Sequence, residues 1–310
     1  MCGRYLFLLL CAVFLTSLGA SAAECRKVRF ADTRWTDIAA STAVATEVLG
    51  ALGYEPKTIE LSVPVTYSSL KNGDIDVFLG TWIPSMAESV APFLKNHSIE
   101  QVGTVLKGAR YTLAVPKFVY DAGVRHFSDL AKYKDRFHGK IYGIEPGNDG
   151  NHKIQKMISE NIFGLGGWKI IESSEQPMFL EAIRAAKYGR WIVFLAWEPH
   201  PINQRMDLAY LDGGDQYFGP YGGATVYIHS RRNYSKQCPQ VAKFLEKFSL
   251  TIESQTSMMS MILDQGLEPR AAARKWIQAN LNQVLEWVSD VDAISGKAAT
   301  TAVSEKFKTG

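Results

Sequence analysis

The sequence predicts an α/β protein of two lobes, each a mostly parallel sheet flanked by helices, joined by a hinge into a clamshell. Three observations predict it. Short runs of β-forming residues alternate with helical stretches, the mark of βα units with parallel strands. Two strands on separate halves end alike, in Asp76-Val-Phe-Leu-Gly-Thr-Trp-Ile-Pro84 and Trp191-Ile-Val-Phe-Leu-Ala-Trp-Glu-Pro199. Each is an apolar run, a tryptophan, one residue and a proline, which puts a large ring where open α/β sheets bind ligands. Finally, once an N-terminal leader is removed, Cys25 and Cys238 are the cysteines that remain. A bridge between them would tie the mature N-terminus to the C-terminal third, so both would belong to one lobe.

The leader is 1–23. Arg4 supplies a positive start, 6–18 an apolar centre, and Ala20-Ser21-Ala22 a small-residue cleavage pattern. The apolar run is too short and interrupted for a membrane span, and Glu24 stands before Cys25 where a lipidation site would need a small residue. An exported, soluble, periplasmic protein is expected. Cys2 and Cys11 leave with the leader, and in an oxidising compartment Cys25 and Cys238 form a disulfide; two buried free thiols are the other reading.

A strand over 28–31 leads through 32–37 to a helix that Asp37 caps and Gly53 closes. A second strand covers 58–63, a short helix 65–71, and the strand 75–79 leads to Trp82. A helix is expected from Pro84, since proline suits a first turn. Strands over 102–106 and 110–115 complete this set. The second set has a helix at 128–137, a strand at 140–144, a turn at 145–149 and a helix through 159. A strand at 168–171, a helix at 177–188 and a strand at 191–196 ending in Trp197 follow. Strands over 207–211 and 224–229 return the chain to the first lobe. Helices over 241–250, 253–264 and 269–288 finish it, the last with Ala273, Trp276, Ile277, Leu281, Val284 and Trp287 on one face.

Lobe one is therefore 24–112 with 210–292, and lobe two is 113–209. The stretch 293–310, rich in Ala, Thr, Ser, Gly and Lys with no apolar period, is expected to be a flexible tail. Two α/β domains in simple succession would leave the Cys25–Cys238 bridge crossing a domain boundary, which makes the returning chain the better reading.

Several function classes are disfavoured. The 310 residues carry a net charge of +3, or +2 once Arg4 leaves with the leader, so there is no basic field for nucleic acid. Phe163-Gly-Leu-Gly-Gly-Trp168 follows a helix and lacks the spacing of a phosphate or dinucleotide loop. No G-x-S-x-G elbow occurs, and the six histidines are scattered without metal-ligand spacing. No catalytic residue, metal or cofactor is expected, and the chain is not read as an enzyme.

What the strand ends do carry is aromatic. Trp35 follows the first strand, Trp82 the third, Tyr111 lies at the crossing into lobe two, and Trp197 ends a strand of lobe two. Trp168, Trp191, Trp276 and Trp287 sit elsewhere and are assigned to the core. Rings converging in a cleft suit a quaternary ammonium, which has no N–H to donate but is attracted to ring faces by roughly 0.5–2 kcal/mol each. Asp37 is the acidic group nearest the rings and could accept a hydrogen bond from a hydroxyl. Asn148, before a helix, could reach the same hydroxyl; capping of that helix fits it equally.

The motifs F-A-D-T-R-W-T-D, D-V-F-L-G-T-W-I-P, Y-G-I-E-P-G-N-D-G and F-L-A-W-E-P-H-P-I-N resemble those of choline-binding periplasmic proteins of ABC importers, in the glycine betaine-type solute-binding family. The resemblance spans about Cys25 to Asp290. It implies a type II two-lobed fold, an aromatic box of Trp35, Trp82, Tyr111 and Trp197, and contact of Asp37 and Asn148 with the choline hydroxyl. A Cys25–Cys238 disulfide fits it. The implied partners are choline, with acetylcholine a possible second ligand, and a membrane permease; a monomer is expected. Two rivals stand beside it. A glycine betaine or proline betaine ligand would direct its carboxylate to the helix N-terminus after Gly147 and be repelled by Asp37. An exported enzyme on the same fold would need a nucleophile or metal in the cleft, and neither is visible in the sequence.

Overall fold

In the computed structural model, residues 25–308 are described; the leader expected at 1–23 lies outside them. β1 (Lys27–Asp32) buries Val28, Phe30 and Ala31. It runs into α1 (Thr36–Ala51), whose residues 36–49 are all buried except Ala39. β2 (Glu55–Glu60), α2 (Val63–Asn72) and β3 (Val77–Ile83) follow. Gly73 stops α2 at φ 79, a conformation glycine adopts without a Cβ clash. The helix expected from Pro84 begins at Ala87: residues 84–86 form a turn, entered through a cis Ile83–Pro84 peptide, before α3 (Ala87–Lys95).

β4 (Ile99–Pro116) is one long strand where two were expected. Then come β5 (Lys140–Tyr142), α4 (Asp149–Ser159), β6 (Lys169–Ile171), α5 (Glu175–Lys187), β7 (Phe194–Glu198), β8 (Leu208–Tyr210) and β9 (Gly223–Arg231); helices of five residues or fewer and the 3-10 helix Phe127–Tyr133, where a helix over 128–137 was expected, connect them. The strand order is β2-β1-β3-β9-β4-β7-β5-β6, with β8 beside β4. Pairing is parallel between β1 and both β2 and β3, and between β5 and both β6 and β7. Around β4 and β9 it is antiparallel. The molecule is thus a two-lobed α/β fold with a parallel core in each lobe and antiparallel strands running between them. β4 changes partner at Arg110, which lies opposite Gly223 of β9 and Glu198 of β7. Because β4 serves both lobes, the hydrogen-bonded sheet runs through the whole molecule.

α6 (Pro239–Lys247), α7 (Ile252–Leu263), α8 (Pro269–Ala279) and α9 (Leu281–Trp287) cover the first lobe. The single helix expected over 269–288 breaks at Asn280, whose side-chain amide donates back to the Trp276 carbonyl at 2.8 Å and competes with helix continuation. The expected face survives the break: Ala273, Trp276, Ile277, Val284 and Trp287 are buried, and Leu281 is half-buried against them. The flexible tail expected from 293 is corrected. Residues Ala299–Phe307 form α10, packed on α1, α8 and α9. Its Ala299, Val303 and Phe307 are buried, an apolar repeat of four that the small polar residues between them obscure. Residues 309–310 lie outside those described.

Cys25 and Cys238 form a disulfide, with Cα atoms 5.4 Å apart, joining the start of β1 to the start of α6. Beside it the buried Asp76 receives the guanidinium groups of Arg29 at 2.8 Å and Arg231 at 2.7 Å. Three strands of the first lobe are thereby pinned at the end away from the cleft. No helix among the described residues is long and apolar enough to cross a membrane.

Candidate ligand-binding site

All six residues expected at the site line one cavity. The sheet delivers the rings. β4 and β7 pair Tyr111 directly with Trp197, and their ring centroids lie 6.2 Å apart at 68°. β3 supplies Trp82, 6.1 Å from Tyr111. Trp35 is the N-cap residue of α1. The four rings are only 4–7% exposed, so the cleft is shut over the cavity.

Tyr111 is steadied on its far side by the edge of Phe218, 5.7 Å away at 87°. Burial, then the carboxylates of Glu145 and Asp149, hold its phenol well above the usual tyrosine range, so the hydroxyl remains a donor. It donates to Oδ1 of Asn148 at 3.0 Å. Gly150 makes this approach possible, since a Cβ there would lie 2.1 Å from the Tyr111 hydroxyl.

Asn148 is the N-cap of α4 as expected: its Oδ1 also accepts from the backbone of Gly150 at 2.8 Å and Asn151 at 3.3 Å. Two backbone N–H donors fix which end of the amide is oxygen. With the oxygen occupied three times over, the Nδ2 end is the part of Asn148 left for a ligand, as a donor.

Asp37 differs from expectation in one respect. α1 starts two residues earlier than a cap at Asp37 implies, with Trp35 as its N-cap residue and Thr36 its first helical residue, and makes no side-chain cap of its own; Asp37 is not the cap but a buried first-turn residue, 1% exposed. Its Oδ2 is buried without a hydrogen-bond partner. Burial pushes its carboxyl up to about 8; the Glu175 carboxylate adds to the rise, while hydrogen bonds from the Ile38 backbone and the Trp82 side chain oppose it. An unpartnered buried carboxyl oxygen is costly by itself and suits a cavity meant to be filled by a cation or a donor.

Sequence reasoning missed Ser85, Met86, Ile144 and Asp149 on the cavity wall. Ser85 and Met86 directly follow the Trp-x-Pro motif. Met86 is fixed there because its sulfur accepts from the Trp82 backbone at 3.1 Å. Asp149 was legible as the neighbour of Asn148; one of its oxygens accepts from Ser89 of the opposite lobe, and burial raises its carboxyl. The four tryptophans assigned elsewhere do lie elsewhere. Trp168, Trp276 and Trp287 are buried, and Trp191 is half-buried between Tyr133 and Phe137 under Arg136.

Residues 26–279 match the family described as the substrate binding domain of ABC-type glycine betaine transport system, OpuAC. An ABC-transporter choline binding protein in complex with choline is 47% identical, with a TM-score of 0.90 over 92% of this chain and 99% of that one. The same kind of protein in an unliganded semi-closed conformation gives 0.85 at the same identity and coverage. A lactococcal OpuAC, closed and complexed with glycine betaine, is 27% identical with a TM-score of 0.76, over 84% of this chain and 98% of that one.

Proposed function

We propose that this chain, which belongs to the family of substrate-binding domains of ABC-type glycine betaine transport systems, captures choline outside the cytoplasm and presents it to a membrane permease. In this reading Trp35, Trp82, Tyr111 and Trp197 surround the trimethylammonium group. Asp37 Oδ2 accepts from the choline hydroxyl and Asn148 Nδ2 donates to the same oxygen.

The observation that carries the reading is this pairing of opposite polar ends below four rings. Asp37 offers an unsatisfied acceptor, while Asn148 has its oxygen committed to Tyr111, Gly150 and Asn151. A hydroxyl answers both, because it donates and accepts at one atom. Four desolvated rings at roughly 0.5–2 kcal/mol each, with the polar pair, are enough for a Kd of about 1 μM or tighter. The 47% identical choline complex supports the same ligand. The lobe boundaries, 24–112 with 210–292 and 113–209, belong to this reading and are supported by the change of partner along β4 at Arg110. So do a periplasmic monomer, acetylcholine as a second ligand, and release of the ligand chemically unchanged.

The second reading is glycine betaine. The 27% identical lactococcal complex favours it, as does the proton that burial keeps on Asp37, since a protonated acid could donate to a carboxylate. Calorimetric titration of the mature protein with choline, acetylcholine, glycine betaine and ethanolamine decides between them. Choline should bind tightest and be recovered intact. Betaine binding tighter than choline overturns the ligand assignment, and a product formed from choline overturns the binding-protein role.

A further inference from the structure

The first turn of α1, which carries both Trp35 and Asp37, is gripped from the opposite lobe by two carboxylates. Trp35 Nε1 donates to Glu145 Oε1 at 2.9 Å, and the Thr36 backbone N–H donates to Glu175 Oε2 at 2.8 Å; both partners lie more than a hundred residues away. α1 has no capping side chain of its own, and a helix start leaves N–H groups that favour a negative acceptor. Glu175 therefore supplies the missing cap from across the cleft.

Glu175 is held for this purpose. Its Oε1 lies 3.0 Å from His200 Nε2, and the Ile202 backbone N–H donates to His200 Nδ1 at 2.9 Å. Nδ1 is thereby an acceptor, so the ring proton sits on Nε2 and points at Glu175. Both side chains are buried, at 3% and 5% exposed. The His200 ring also lies 4.3 Å from Phe179 and 5.2 Å from Trp197, so the group that orients the cap also backs a wall of the box. Separating the lobes would strip Thr36 of its acceptor and leave Glu175 with His200 alone. The charge of Glu175 also opposes ionisation of Asp37, an opposition that a cation in the cavity would offset.

We propose that Glu175, oriented by His200, is the latch of the closed cleft: a positioning residue that caps α1 from the opposite lobe and so holds Trp35 and Asp37 over the ligand only when the lobes are shut. This deepens the binding reading and rests on it for the choice of probe.

The test uses the full mature chain, with choline association and dissociation followed separately by tryptophan fluorescence in stopped flow. In parallel, the distance between spin labels on cysteines introduced at the exposed Lys57 and Lys187 reports lobe separation. In Glu175→Ala the dissociation rate should rise about 10- to 100-fold with association within about twofold, and the choline-saturated protein should gain an open population. Glu175→Gln keeps an oxygen for Thr36 but turns an N–H towards His200, so its dissociation rate should fall between wild type and Glu175→Ala. An unchanged dissociation rate in Glu175→Ala overturns the latch. So does slower association with a lower melting temperature of the unliganded variant, which would make Glu175 a support of its own lobe. Wild type that binds no choline refutes the ligand instead; the label distances with tetramethylammonium as probe then decide the latch.

Discussion

The hydroxyl of Tyr111 donates to Oδ1 of Asn148 at 3.0 Å, so one contact fixes both a ring and a polar side chain of the cavity wall. Tyr111 reaches the site from the long strand that serves both lobes, and Asn148 from the cap of α4. Ring position and hydrogen-bond polarity are therefore set together.

That coupling is open to test at Gly150. Gly150→Ala puts a Cβ 2.1 Å from the Tyr111 hydroxyl and must displace the ring, so choline affinity should fall at least about tenfold. Tyr111→Phe removes only the hydroxyl, leaves Asn148 Oδ1 with its two backbone donors, and should cost about 1 kcal/mol, or roughly fivefold. Calorimetry on both variants checks the order; equal losses would mean that ring position does not matter.

Trp82→Ala should raise the choline Kd by about 30-fold or more, from loss of a ring face and of apolar contact. Circular dichroism of the unliganded variant should stay native. A variant that no longer folds would reassign Trp82 from the ligand to the core.

Asp37 should give choline and betaine opposite pH dependences. In the unliganded protein its carboxyl is raised from 3.8 to about 8. A cation favours the ionised form, so choline binding expels a proton below pH 8. Affinity should then climb with pH by up to about tenfold per unit and level off above about 8. A carboxylate ligand favours the protonated form, so betaine affinity should be flat below about pH 8, where the group already carries its proton, and fall above it. Without ligand the raised group works the other way on stability. Its contribution is full below the unfolded pKa and is lost as pH rises from about 4 to about 8. Asp37→Asn should flatten both profiles in titrations and thermal melts across that range; wild-type profiles that are already flat refute the assignment.

Replacing Cys25 and Cys238 together by serine should lower stability by about 2–5 kcal/mol, given the 213 residues that the bridge spans. Choline affinity should be unchanged, because neither cysteine lines the cavity. Denaturant melts and calorimetry on the same sample separate the two effects, and an affinity loss would tie the bridge to the site.

Much of this was legible because it is local. Trp82 and Trp197 announced themselves by standing at strand ends before a proline, and Asn148 by preceding a helix in a Pro-Gly turn. Misreadings were local too. Asp37 looked like a cap because aspartate commonly is one, yet α1 starts two residues earlier and takes its cap from Glu175. The stretch after 293 looked unstructured because alanine and threonine hide the repeat of Ala299, Val303 and Phe307.

By itself the sequence determined which side chains stand at the strand ends, which cysteines were left to pair, and the charge and polarity offered to a ligand. Those properties follow from short-range pattern. Only the tertiary structure decided that the Asn148 side-chain oxygen is already occupied, that Asp37 keeps an unpartnered oxygen, and that Glu145 and Glu175 hold the first turn of α1. Each of these depends on a hydrogen bond made, or missing, between groups that the sequence separates and the closed lobes bring together. A hydrogen bond is decided within a few tenths of an ångström, and no spacing along the chain encodes that.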